Sequence, residues 1–109
     1  MFNLFNDRGI WMTFKNGVTL SIQWGEHNYC GKREINENEM FKRTSCNTAE
    51  IAIFDSRNMW ITKGVYKLFM NEDLNDEVRG HRNADNVGEL ISICMNMDEN
   101  DIDICRKLS

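Results

Sequence analysis

The sequence has no proline and no C-x-x-C pair. It has no excess of positive charge, and no apolar run approaches the ~20 residues a membrane span needs. Each absence removes a class. With no repeat and no low-complexity stretch, nothing marks a linker, and the 109 residues read as one domain, 1–109. A net charge of −4 argues against double-stranded nucleic acid as a partner, because non-specific binding there normally needs a basic surface. The missing apolar run argues against a membrane. The start, "MFNLFNDRGIW", lacks the basic-then-apolar pattern of a secretory signal, which points to a cytosolic chain. In that setting Cys30, Cys46, Cys94 and Cys105 are expected as thiols, and their scattered spacing argues against a zinc site. Glycine-rich phosphate loops and metal-helix motifs are absent, so no cofactor is expected. Cys30 with His27 or His81 is the one conceivable dyad. Nearness in sequence does not make a working pair, so no enzymatic activity is expected.

What is present is mainly strand signal. "IWMTFKNGVTLSIQW" reads as a hairpin around Asn16-Gly17, a two-residue turn in which both central residues take positive φ. That register places Trp11, Val18, Leu20, Ile22 and Trp24 on a core face. Ile10, Met12 and Phe14 fall on the other, beside Thr19, Ser21 and Gln23. So apolar a second face predicts self-association. "TAEIAIFDSRNMWIT" reads as a second hairpin, with Glu50 set opposite Lys63. "GKREINENEMFKRTSCN", between the two, reads as a long polar loop. Residues 63–80 fit strand or turn. From Asn83, an N-cap residue, Val87, Leu90, Ile91, Cys94 and Met95 form one apolar helical stripe. Gly88 inside it is expected to allow close packing on the sheet. The tail from 97 to 109, acidic over 97–103, reads as an extension, either an edge strand or a flexible tail. The fold class expected is α+β: an antiparallel sheet of four to six strands, hairpin-built, with one C-terminal helix packed on one face.

The order of these pieces resembles a group of small uncharacterised phage proteins. The resemblance rests on "NG" at Asn16-Gly17, "SIQWG" at Ser21 to Gly25, "NYC" at Asn28 to Cys30, "AEIA" at Ala49 to Ala52, "VRG" at Val78 to Gly80, and the helix that follows. It covers about three-quarters of the chain by span, as much as a single domain's core elements occupy. His81 stands where the pattern has a larger aromatic, and the tail is extra. The resemblance implies a phage setting and the host cytoplasm, but no mechanism.

Candidate ligand-binding residues are Gln23, Asn28, Tyr29, Lys32, Arg33, Glu50, Arg79, His81 and Arg82. Their simplest roles are structural: Asn28 satisfying a turn, Tyr29 capping the core, Glu50 pairing with Lys63. The functional alternative is a pocket at the end of the first hairpin. There Trp24, Tyr29 or Trp60 would stack a base while Lys32, Arg33, Arg79 and Arg82 hold phosphates. With no catalytic signature, the expected action is binding. One expectation is a counter-defence protein that sequesters a nucleotide-derived immune signal. A second is an inhibitor of a host defence protein such as a CRISPR effector. A third is a minor structural phage protein.

Overall fold

The computed structural model describes residues 1–4, 8–24, 33–36 and 43–109, with the backbone alone for 33–36 and 43–45. The strands are β1 (Phe2–Leu4), β2 (Gly9–Thr13), β3 (Thr19–Gln23), β4 (Arg33–Asn36), β5 (Arg43–Cys46), β6 (Ala49–Phe54) and β7 (Arg79–Arg82). Five form an antiparallel sheet in the order β1-β2-β3-β6-β7, and β4 and β5 form a separate antiparallel ribbon. Three helices, α1 (Thr62–Met70), α2 (Ala84–Asn96) and α3 (Glu99–Leu108), complete an α+β fold. One core joins Leu20, Ile22, Ile51 and Ile53 of the sheet to Val65 and Tyr66 of α1, Leu90 and Cys94 of α2, and Ile102 and Cys105 of α3.

The first hairpin forms where Asn16-Gly17 predicts it, but its loop has three residues. Phe14 N–H donates to the Val18 carbonyl, and Gly17 N–H donates to the Phe14 carbonyl, each at 2.9 Å. Gly17 has φ +87° and Asn16 is not among the positive-φ residues, the signature of a type I turn closed by a left-handed glycine. Met12 therefore pairs with Leu20 and Ile10 with Ile22, while Trp11 pairs with Ser21. A shift of one residue turns every side chain of β2 over. Ile10, Met12 and Phe14 pack against the core instead of forming a bare second face. Trp11 stands on the opposite face, where its ring lies 5.6 Å from that of Phe54, and Phe54 meets Trp60 edge-on at 4.6 Å.

The second hairpin also has a longer loop than expected, and its returning strand is only an isolated bridge. Phe54 bridges Trp60, Ile61 N–H returns to the Ile53 carbonyl, and the chain then enters α1. Thr62 is fully buried, and its hydroxyl accepts from Ile53 N–H at 2.9 Å. Lys63 consequently lies in a helix, and the register partner of Glu50 is Gln23. α1 ends at Asn71, in the left-handed region at φ 51°, with Glu72 N–H donating back to the Tyr66 carbonyl. The long polar stretch between the hairpins contains β4 and β5.

The acidic segment is the start of α3. Asp98 and Asp101 form a reciprocal capping box, Glu99 and Asp101 lie in the first turn, and Arg106 and Lys107 lie in the last. These charges oppose the helix dipole at both ends. α1 and α3 meet at Gly64, where a Cβ would overlap the Cys105 carbonyl. At Gly88 the reverse holds: a Cβ there would meet nothing within 4 Å, so this glycine makes no close approach to the sheet.

The cysteines correct the all-thiol expectation. Cys94 and Cys105 are free and buried, whereas Cys46, at the end of β5, is disulfide-bonded. Spacing in the sequence carries no information about which cysteines a ribbon brings together in space.

Candidate ligand-binding cleft

β7 positions the cationic side chains. Ala49 of β6 pairs with Arg82 and Ile51 pairs with Arg79, so three steps along β7 oppose two along β6. The extra residue is a bulge at Gly80-His81, and His81 takes φ 56°. Without the bulge, residues 79 and 82 would point to opposite faces. With it, both arginines lie on the helix-covered face, with their guanidinium groups close enough to act on the Tyr66 hydroxyl.

Arg79 is already engaged. Its Nε donates to Glu72 Oε1 and its Nη1 to the Gly80 carbonyl, both at 3.1 Å. Arg82 is different: its Nε is buried and completes no hydrogen bond. Tyr66 is fully buried, and its hydroxyl likewise completes none. Burial pushes the Tyr66 pKa up to about 12 against the opposing pull of Arg82 and Arg79.

Arg82 lines a cleft of about 500 Å³ between the ends of β3 and β6 and the first turns of α2. Trp24 supplies an indole wall. Ile22, Val87 and Ile91 supply apolar surface, and Thr48 and Asn47 supply polar groups. The Thr48 hydroxyl is also buried without a hydrogen-bond partner. A buried donor with no partner costs about 1–3 kcal/mol; Arg82 and Thr48 each carry one and both line the cleft. The N-terminus of α2 is itself closed: Asn83 and Asn86 cap each other reciprocally, and Asp85 occupies the first turn.

A second cleft, of about 680 Å³, is lined by Trp60, Met59, Arg57, Arg106, Asp76 and Glu77 among others. Several of its charged groups are committed internally. Arg106 Nε donates to Asp55 Oδ2 at 2.5 Å and its Nη1 to Asp103 Oδ1 at 2.8 Å, while Glu77 accepts from Lys63 N–H at 2.7 Å. The smaller cleft is the better candidate because its polar atoms still need partners.

The residues predicted from sequence fall into separate places. Arg82 and Trp24 line the cleft. Gln23 and Glu50 are register partners on the opposite sheet face, where Gln23 Nε2 donates to Ser21 Oγ at 3.1 Å. They do not share a site with Arg82. Arg79 forms an ion pair, and His81 occupies a bulge on an exposed position. Arg33 lies in β4 opposite Cys46, with its backbone alone described. Asn28, Tyr29 and Lys32 lie outside the described residues. Sequence reading missed Thr48, Asn47 and the α2 wall. A lone Thr in "SCNTAEIA" carries no signal until β7 is set beside it.

Among the described residues no group of three His, Cys, Asp or Glu side chains stands where it could hold a metal, and no helix is long and apolar enough to cross a membrane. The chain matches no protein-family model, no curated protein and no solved structure.

Proposed function

We propose that this chain is a binding protein that holds a small phosphate-bearing ligand in the Trp24–Thr48–Arg82 cleft. The observation that carries the reading is that Arg82 and Thr48, each with a buried polar atom lacking a hydrogen-bond partner, line the same cleft as an indole ring. A guanidinium and a hydroxyl hold phosphate oxygens, and an indole accepts a base, a combination used for nucleotide recognition. The cleft volume is in the range of small-molecule sites. In the phage setting that the sequence resemblance implies, such binding sequesters a nucleotide-derived immune signal, without chemistry. Mass spectrometry of small molecules released from protein purified out of infected cells tests this. A stoichiometric nucleotide, lost in Thr48→Val protein of unchanged melting temperature, is the expected result. Protein that carries and binds no nucleotide would remove the reading.

One observation favours the rival, an inhibitor that docks on a host defence protein. β1 is a sheet edge, and its Phe2 and Leu4, on the same face as Ile10 and Met12, are 67% and 74% exposed. An apolar edge strand is the surface that a protein partner, or a second copy of this chain, pairs with. Phe2→Lys with Leu4→Lys separates the readings: it abolishes inhibition by docking or self-association measured by light scattering, and leaves nucleotide binding intact.

A further inference from the structure

Arg82 has a neighbour in the core, Tyr66, whose part in binding rests on the reading above. Tyr66 belongs to α1 and is fully buried, and both arginines of β7 act on its hydroxyl. Arg79 is held to one side by Glu72: the Glu72 N–H donates to the Tyr66 carbonyl at 3.1 Å, and its Oε1 accepts from Arg79 Nε at 3.1 Å. Arg82 lies within reach of the hydroxyl, but its buried Nε and the Tyr66 oxygen each lack a hydrogen-bond partner among the described residues. Arg82 at the same time lines the cleft. We propose that Tyr66 is a positioning residue for this cleft: when a phosphate draws the Nη atoms of Arg82, Nε–H closes onto the Tyr66 hydroxyl, and ligand and phenol hold opposite ends of one guanidinium.

The chemistry of the two side chains carries this. A guanidinium is a rigid planar fork of five N–H donors, and a phenol oxygen both accepts and donates. With Nε–H turned to the core, the two Nη atoms stand at the far end of the fork, where they can meet a phosphate through parallel N–H bonds. Two neighbouring buried groups left unbonded are a cost to the empty protein, and one turn of the fork relieves it. The ligand then gains from a bond that it does not itself make. An arginine seated in advance also loses less side-chain freedom when the ligand arrives. Phenylalanine at 66 would fill the core as well and leave no oxygen to satisfy, so the hydroxyl needs a purpose.

Nitrogen-15 NMR of the arginine Nε–H groups, with AMP, GMP and cyclic AMP as probes, reads the seating directly. In wild-type protein saturated with the tightest-binding probe, the Arg82 Nε–H signal, assigned by through-bond correlation, should shift and exchange with water more slowly than in the empty protein. In Tyr66→Phe protein it should show no such change, and calorimetry should give an affinity about tenfold lower, the size of a coupled contact. The melting temperature of empty Tyr66→Phe protein should not fall, because a hydroxyl without a bond adds nothing to the empty state. An Arg82 Nε–H signal unmoved by saturating probe, or Tyr66→Phe protein that binds as tightly as wild type, overturns the positioning role and leaves the binding reading standing. So does a Tyr66→Phe melting temperature well below wild type, which would make the hydroxyl structural. Binding of none of the three probes by the wild-type protein overturns both.

Discussion

Asn16, in the turn between β2 and β3, donates from its side-chain amide to the Cys94 carbonyl at 2.8 Å, across 78 residues of sequence. The same Nδ2 donates to the Met97 carbonyl at 2.9 Å, and its Oδ1 accepts from Val18 N–H at 3.0 Å. The last carbonyls of a helix have no partner within it. A turn residue supplies it here, so one amide sets the hairpin and holds the end of α2. Asn16→Ala removes both donors and should cost about 1–3 kcal/mol. Asn16→Asp should cost more. It keeps the acceptor for Val18 but sets a carboxylate against two carbonyl oxygens at the negative end of the helix. Urea unfolding of the two variants gives the order, and an aspartate variant as stable as wild type would contradict it.

That asparagine also shows where the sequence was legible. Asn-Gly between alternating residues marked the first hairpin, and the α+β class and most of the α2 stripe followed from periodicity, although Met95 of that stripe is exposed. Register did not. The Asn16 side chain is held by the Cys94 and Met97 carbonyls, which local pattern cannot see. β7 shows the same limit, because a bulge at His81 decides that Arg79 and Arg82 share a face. "VYKLFM" was ambiguous because its helical face is completed by Ile61 upstream and by the contact at Gly64. The cleft was half legible: Trp24 and Arg82 were chosen for their chemistry, while Thr48 became visible only as a buried hydroxyl lacking a partner.

Two helical glycines should respond oppositely to the same change. Gly88→Ala should stabilise by about 0.5–1 kcal/mol, the ordinary helix-propensity difference, because a Cβ there meets nothing. Gly64→Ala should destabilise by roughly 1–3 kcal/mol or more, because its Cβ would overlap the Cys105 backbone and force α1 from α3. Thermal melts of the two variants check this, and a shift of the same sign in both would refute the α1–α3 approach.

The thiols should fall into two chemical classes. Burial pushes Cys94 up to about 12 and Cys105 up to about 11, with the neighbouring Cys105 and Asp101 adding to the respective shifts. The thiolate is the reactive form, so both should resist iodoacetamide in native protein near neutral pH and react on unfolding. Cys46 should be alkylated only after a reductant, folded or not. Peptide mapping by mass spectrometry reads each site separately. Rapid native labelling at Cys94 would show that the core beneath α2 opens readily.

The turn after β6 should set the acid limit of the fold. Asp55 is 2% exposed. Its Oδ1 accepts from Arg57 and Met59 N–H at 2.9 Å, and its Oδ2 accepts from Arg106 Nε at 2.5 Å. Burial alone would raise its pKa. The Arg106 guanidinium and the two N–H groups outweigh that and hold it below the ordinary carboxylate value. The folded state therefore binds the proton less well than the unfolded chain, whose aspartates titrate near ~3.9. Stability from this group is complete above that pH and is lost as pH falls through the lower, folded value. Asp55→Asn should cost about 1–3 kcal/mol at neutral pH. It should also flatten the acid limb, since the variant has no proton to take up at this position and Arg106 stays charged throughout. Chemical denaturation of both proteins at a series of pH values from neutral to strongly acidic measures the two slopes. Parallel curves over the whole range would mean that the tie between this turn and α3 contributes nothing to acid sensitivity.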